Sequence, residues 1–212
     1  MNVLVTRPDH CDEVHYLCEW FGEIFNACKS KDVHFQDLYH TRANRAEVIT
    51  FLEKGNWDLI VFNGHGNENT IFGHDDLEVL TNIPADRKLL KNKVVYVIAC
   101  LTTQQLGPKC ISDGTTAYVG YSGLLTFYGD PCKNLLPLED DLAKPIFEAS
   151  NMVVLSLIKG NSAKEAVMKA NVLIDKYISW YQGIDAPINA EGVVPILYDF
   201  KGSLTALDNS SA

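Results

Sequence analysis

The 212-residue sequence predicts an α/β fold in three layers: a mostly parallel central sheet, helices on both faces, and an antiparallel hairpin at the C-terminus. Two observations carry this expectation. Asp58-Leu59-Ile60-Val61-Phe62-Asn63 and Val94-Val95-Tyr96-Val97-Ile98 are continuous β-branched and aromatic runs, the pattern of strands buried on both faces. Strand-like and helix-like segments also alternate β-α-β-α-β, an order that calls for right-handed crossovers and parallel neighbours.

Residues 2–6 read as the first strand, stopped by Pro8, with Asp9 as N-cap of the next helix because a carboxylate accepts from free backbone N–H groups. Val14, Leu17, Cys18, Phe21, Phe25 and Cys28 then recur at helical spacing. A strand near Val33–Leu38 and a helix near Asn44–Lys54 follow, the helix closed by Gly55 as a left-handed cap. Thr70–Leu80, with a turn in its middle, reads as a small hairpin or flap, and Pro84–Asn92 as a short helix and loop. Thr102-Thr103 can cap a helix that Gly107-Pro108 interrupts, and Thr115–Tyr121 is a fifth strand. Residues 122–144 have no periodicity and read as a functional or mobile loop.

Pro145 suits the first turn of a helix whose buried face is Ile146, Ser150, Val153, Val154 and Leu157, ended by Gly160. Ser162 and Glu165 form a capping box for a helix that turns Ala166, Ala170, Leu173, Ile174, Tyr177 and Tyr181 inward. Val193–Tyr198 and Ser203–Leu207, joined by Lys201-Gly202, read as the closing hairpin, and 208–212 as a frayed tail. No internal repeat, linker or second core is evident, so residues 1–212 are expected to form one domain.

With 47% apolar and 21% charged residues the composition is that of a soluble globular protein. A net charge of −9 and a pI near 5.1 argue against a surface that tracks phosphates, so no nucleic-acid partner is expected. The first residues lack a basic n-region, and no stretch approaches the ~18 uninterrupted apolar residues of a membrane span. Six cysteines without a CxxC pair read as free thiols in a reduced, cytoplasmic protein.

His65, within Gly64-His65-Gly66, and Cys100, after Ala99, fall at the carboxyl ends of the two apolar strands, where a parallel sheet places its ligands. A cysteine attacks as its thiolate, and a nearby imidazole and helix start both favour the anion. His65 can act as general base, or as the acid for a leaving amine. Gly66 lets backbone approach a substrate closely, so its N–H and that of Cys100 can hold an oxyanion, each such donor contributing ~3 kcal/mol. The bland alternatives are a cysteine that is merely a small buried hydrophobe and a histidine that is merely hydrogen-bonded. Finding both at neighbouring strand ends favours chemistry. His74 is a surface histidine or an alternative base. Cys11, Cys18 and Cys28 on the first helix and Cys110 in a broken one are structural, while Cys132 in the long loop is the most exposed. A metal set of His65, His74, Asp75 and Cys100 matches no standard spacing, so no metal and no cofactor is expected. Thr6-Arg7-Pro8 stands where a flavodoxin-like or receiver-type binder would need a phosphate-cradling glycine turn, which disfavours that class.

These residues resemble the caspase-like cysteine peptidases, the group of caspases, legumains, gingipains, clostripain, separase and CHAT domains. The likeness is nearest to the CHAT and gingipain side. Its carriers are Gly64-His65-Gly66 after one apolar strand, Ala99-Cys100-Leu101-Thr102-Thr103 after the next, and Ala117-Tyr118-Val119-Gly120-Tyr121-Ser122-Gly123. The helix pair around Leu157–Ala166 extends it, so that it spans residues 58–182. It implies a caspase-like fold and an endopeptidase working through a His65–Cys100 dyad and a thioester, with Gly66 and Cys100 supplying the oxyanion amides. Ile98 stands where the caspase signature has Gln, and Thr102 where it has Gly, so aspartate specificity is not implied. Asp130, Asp75 and Asp76 would make an acidic pocket for Lys or Arg substrates. Arg7 would instead recognise an acidic or polar side chain, and each of these competes with being a solvated loop charge. The partners implied are a protein or peptide substrate and, since the 122–144 loop sits where the family carries activation loops, an activating cleavage or partner protein. A catalytically silent binding or scaffold module on the same fold is the rival.

Overall fold

The structure, a computed structural model, describes residues 1–29, 31–186 and 190–208. Six strands make the central sheet: Asn2–Arg7 (β1), His34–Tyr39 (β2), Leu59–Asn63 (β3), Val94–Ile98 (β6), Ala117–Tyr121 (β7) and Leu204–Asp208 (β8). They lie in the order β2-β1-β3-β6-β7-β8. The first five are parallel, and β8 pairs antiparallel with β7. Thr70–Phe72 (β4) and Glu78–Thr81 (β5) form the expected antiparallel flap, a separate two-stranded ribbon.

The pleat sends alternate side chains to opposite faces. Val3, Val5, Leu59, Val61, Tyr96, Ile98, Val119 and Tyr121 face one layer: Asp12–Cys28 (α1), Lys144–Ile158 (α5), Ala163–Tyr181 (α6) and Val193–Ser203 (α7). Leu4, Ile60, Phe62, Val95, Val97 and Tyr118 face the other, built from Arg45–Lys54 (α2), Leu106–Ser112 (α4), the ribbon, and Leu89 and Leu90 just after Pro84–Lys88 (α3). Leu59–Phe62 of β3 and all of β6 are apolar because both faces are covered. The arrangement is a three-layer α/β sandwich. No helix among the described residues is long and apolar enough to cross a membrane.

Local chemistry sets the helix ends. Asn44 caps α2 by accepting the Glu47 N–H at 3.1 Å. Ser162 accepts the Glu165 N–H at 3.3 Å while Glu165 takes the Ser162 N–H at 2.8 Å, completing the capping box of α6. Gly160 ends α5 at φ 84.

Four local expectations need correction. Cys11, not Asp9, is the N-cap of α1, because the Asp9 carboxylate accepts from His15 Nδ1 at 2.9 Å and from the Tyr39 hydroxyl at 3.3 Å. Gly55 is extended, at φ −96, and not left-handed; it is small because the Trp57 ring lies 2.1 Å from where a Cβ would stand. Thr102 and Thr103 do not cap α4, which begins at Leu106 and takes Gly107-Pro108 within its first turn. Residues 193–198 are helical, not the first arm of a hairpin. Val193, Leu197 and Phe200 bury one face at spacings of four and three, a helical period that overrides the β-branched composition. The C-terminal antiparallel pair is therefore β7 with β8. Residues 209–212 of the expected frayed tail lie outside the described residues.

Residues 122–144 contain only short 3₁₀ turns at Pro131–Lys133 and Pro137–Glu139. Their second half is nevertheless tied down. Buried Asp140 accepts from the Tyr16 hydroxyl at 2.8 Å and from the N–H groups of Asp130, Leu142 and Ala143 at 2.9, 3.0 and 3.2 Å. Trp20 Nε1 donates to the Pro137 carbonyl at 3.1 Å.

Where β1 and β3 stop pairing, Asn63 and Thr6 clamp the strand ends. The Asn63 N–H donates to Thr6 Oγ1 at 3.2 Å, and its Nδ2 donates to the Thr6 carbonyl at 2.7 Å, both in the buried core. Replacing Asn63 with Leu strands that carbonyl, and a buried unsatisfied acceptor costs about 1–3 kcal/mol. Urea denaturation of Asn63→Leu should show a loss of that order with an unchanged slope; a midpoint equal to wild type would remove the clamp from the account.

A second fastening joins α2, α3 and β5. Asp86 accepts both Arg45 nitrogens at 2.8 and 2.7 Å and the Thr81 N–H and hydroxyl at 2.8 and 2.9 Å. Burial works to raise its pKa, but Arg45 and Thr81 outweigh this and hold the carboxyl below its ordinary value. A carboxyl with a depressed folded pKa contributes stability that is present above its unfolded value and lost as pH falls through the folded one. The melting-temperature gap between wild type and Asp86→Asn should therefore be wide near about pH 6 and close towards about pH 2.5; a gap independent of pH would contradict this.

Candidate active site

At the end of β3 the chain turns through Gly64 at φ 149, where a Cβ would meet the Phe72 carbonyl oxygen at 2.4 Å. His65 accepts the Phe72 N–H at 2.9 Å and Asn67 donates to Thr70 at 3.0 Å, so this segment is laid against β4. A Cβ on Gly66 would sit 2.8 Å from that of Ala99, so only glycine lets it pass the end of β6. Cys100 follows β6, and Leu101 after it is held at φ 62, a left-handed conformation that disfavours an L side chain by about 1–2 kcal/mol. The Leu101 N–H donates to the Gly123 carbonyl at 3.0 Å, which fixes this sharp turn.

Gly64, His65, Ala99 and Cys100 line one wall of a cavity of about 340 Å³. The other walls are Val14 and Leu17 of α1, Leu125 and Phe127 of the long loop, and Ile146 and Phe147 of α5. Glu13 and Thr126 also line it, and Ser150 adds a hydroxyl backed by a buried hydroxyl chain: Ser150 Oγ is 3.3 Å from the Tyr121 hydroxyl, itself 2.8 Å from that of Tyr96. Cys100 Sγ accepts the Leu125 N–H at 3.2 Å. The N–H groups of Gly66 and Cys100 have no hydrogen-bond acceptor among the described residues.

His65 Nε2 lies 3.3 Å from a thiol, but that thiol is Cys11. No hydrogen bond joins His65 to Cys100 among the described residues. Cys11, His10 and Glu13 are the residues that sequence reasoning missed here. Glu13 lines the cleft, and its carboxyl is held below its ordinary value chiefly by its own backbone N–H and then by the Cys11 thiol, with a smaller contribution from His65. One signal was available: the Pro8–Cys11 segment leaves β1 at the same carboxyl edge as His65 and Cys100.

The proposed substrate-selecting charges stand elsewhere. Arg7 is ion-paired with Asp37, donates to the Cys18 carbonyl at 3.1 Å, and has Phe25 and Tyr39 rings within 5.0 and 4.9 Å. Asp130 caps the Cys132 N–H at 2.9 Å, and the Asp75 side chain is 71% exposed beside His74. None of the three is among the residues lining the cleft, whose walls are mostly apolar with Glu13 as their one carboxylate. His74 is buried, not a surface residue: it accepts the Asp9 N–H at 3.4 Å and packs against His10 and His40 at 5.3 and 4.2 Å. No family model and no curated protein sequence matches this chain.

Burial separates the thiols. It pushes Cys18 and Cys110 up to about 12 and raises Cys11, while Cys132 is exposed. Thiolate is the reactive form. Brief alkylation of the folded protein, mapped by mass spectrometry, should modify Cys132 and Cys100 and spare Cys18, Cys28 and Cys110 until denaturant is added. Modification of Cys18 or Cys110 in the native state would overturn this burial order.

Proposed function

We propose that this chain is a cysteine endopeptidase of caspase-like type that takes substrates with an apolar or aromatic side chain next to the scissile bond. One observation carries the reading: Cys100 and His65, from the ends of adjacent parallel strands, share a largely apolar cleft, and the N–H groups of Cys100 and of Gly66, next in the chain to His65, have no acceptor among the described residues. The Cys100 thiolate attacks the substrate carbonyl, and the oxyanion is held by the Gly66 and Cys100 amides. His65 takes the thiol proton and gives it to the departing amine, leaving a thioester that water hydrolyses. Leu17, Phe127, Ile146 and Phe147 suit an apolar side chain, and Ser150 accommodates one polar atom at its end.

His65 is engaged by Cys11 in the resting form, so it has to turn towards Cys100 before reaction. This supports a latent enzyme released by cleavage or by a partner protein, with the stretch around Leu125 that contacts Cys100 as the part of the long loop closest to the chemistry. Six free thiols suit a reducing cytoplasm.

The Cys11–His65 contact also favours a second reading, a silent relative that binds an apolar peptide segment in the cleft without turnover. Peptidyl electrophiles differing only in the residue before the warhead separate the two. On the enzyme reading wild type is labelled at Cys100, apolar probes react at least tenfold faster than Lys, Arg or Asp probes, Cys100→Ala is not labelled, and His65→Ala slows labelling by roughly 10²–10⁴-fold. Absence of covalent labelling together with reversible binding of apolar peptides would establish the silent module. Labelling that moved to Cys11 would reassign the nucleophile.

A further inference from the structure

We propose that His10, Cys11 and His65 form a binding site for a zinc-class divalent cation, and that the bound cation withdraws His65 from Cys100. The first part goes beyond the peptidase reading; the second rests on it.

The ligand atoms of the three side chains all lie within 4.8 Å of one another. Cys11 Sγ and His65 Nε2 are already 3.3 Å apart, close to the roughly 3.3–3.6 Å between ligand atoms on a tetrahedral zinc with bonds of ~2.0–2.3 Å. One soft thiolate and two imidazoles form the donor set that zinc prefers, and that magnesium and calcium avoid.

The second observation is independent of the spacing. The His10 side chain is only 10% exposed, and its Nδ1 is buried with no hydrogen-bond partner. An unpaired buried ring nitrogen is costly unless something ligates it. Its other nitrogen, Nε2, faces the Asp76 carboxylate at 3.2 Å. A histidine whose second nitrogen is held by a carboxylate has its tautomer and ring orientation fixed for metal binding. His74 is otherwise engaged, since its Nδ1 accepts the Asp9 N–H. Three protein ligands leave the fourth position to water. Binding releases the Cys11 thiol proton to solvent, and the thiolate takes its place on the metal.

The consequence for the cleft follows from shared use of one ring. A cation on His65 Nε2 pins the ring against Cys11, where it makes no hydrogen bond to Cys100 among the described residues, and so keeps it from turning to take the Cys100 proton. Zinc and covalent modification of Cys100 then exclude each other.

The test uses the full chain, freed of metal with a chelator and titrated with Co²⁺. Wild type should develop a thiolate-to-cobalt charge-transfer band saturating at one equivalent and displaced by Zn²⁺. Cys11→Ser should abolish the band and Cys100→Ala should keep it. Asp76→Asn, a change at a side chain 61% exposed that leaves the fold intact, should weaken binding roughly 10–100-fold. A band that survives in Cys11→Ser and vanishes in Cys100→Ala would overturn the site. Saturating Zn²⁺ should also slow probe labelling of Cys100 at least tenfold in wild type and not in Cys11→Ser. Metal binding without that slowing would overturn the second part alone. Labelling that is absent both with and without metal, beside an intact cobalt band, would sink the peptidase reading and leave the metal site standing.

Discussion

Everything at the working edge of this molecule depends on the buried clamp between Thr6 and Asn63. Parallel strands end with carbonyls and N–H groups that have lost their ladder partners, and inside a core those groups must be satisfied locally. The Asn63 side chain does this for Thr6, and the Thr6 hydroxyl does it for the Asn63 N–H. The clamp fixes the point at which β1 and β3 release their chains. One of those chains carries His10 and Cys11, the other His65 and Gly66. Their meeting across 54 residues follows from that shared exit.

The cleft beside them is shaped by the helical layer and by a loop held to it. Tyr16 and Trp20 on α1 grip Asp140 and Pro137, bringing an aperiodic segment down onto the sheet edge. Phe127 then packs on Tyr16 and Phe147 at 4.8 and 5.0 Å between ring centroids, which makes the cavity walls apolar. Asp130, which could have made the pocket acidic, is held away from it. Its N–H donates to Asp140 and its carboxylate caps Cys132, so its charge is used to build the loop. The first half of the loop supplies Leu125, whose N–H reaches the Cys100 sulfur, so loop and nucleophile candidate are in direct contact.

Two thiols stand near one imidazole. Cys100 lines the cleft, its own N–H and that of Gly66 without an acceptor among the described residues, and Cys11 touches the ring. A histidine placed between a cleft cysteine and a second potential metal ligand is a natural point of control, because a small rotation about its side chain changes its partner. Nothing in the order His65…Cys100 announces this. The residue that completes the arrangement enters from the opposite end of the chain.

The sequence by itself determined the layers. Apolar runs required strands covered on both faces, and stripes at helical spacing together with the Ser162–Glu165 box placed α1, α5 and α6, because those signals are local and repeat within a few residues. It also singled out His65, Cys100 and Gly66, since strand ends in a parallel sheet are predictable positions. Residues 193–198 misled it: β-branched composition suggested a strand, whereas burial at Val193, Leu197 and Phe200 made a helix. Only the tertiary structure decided that Arg7 is spent on Asp37, that the cleft is apolar, and that His10 and Cys11 reach His65. Those outcomes depend on which side chains meet when strands distant in sequence end side by side, and neither periodicity nor spacing along the chain records such a meeting.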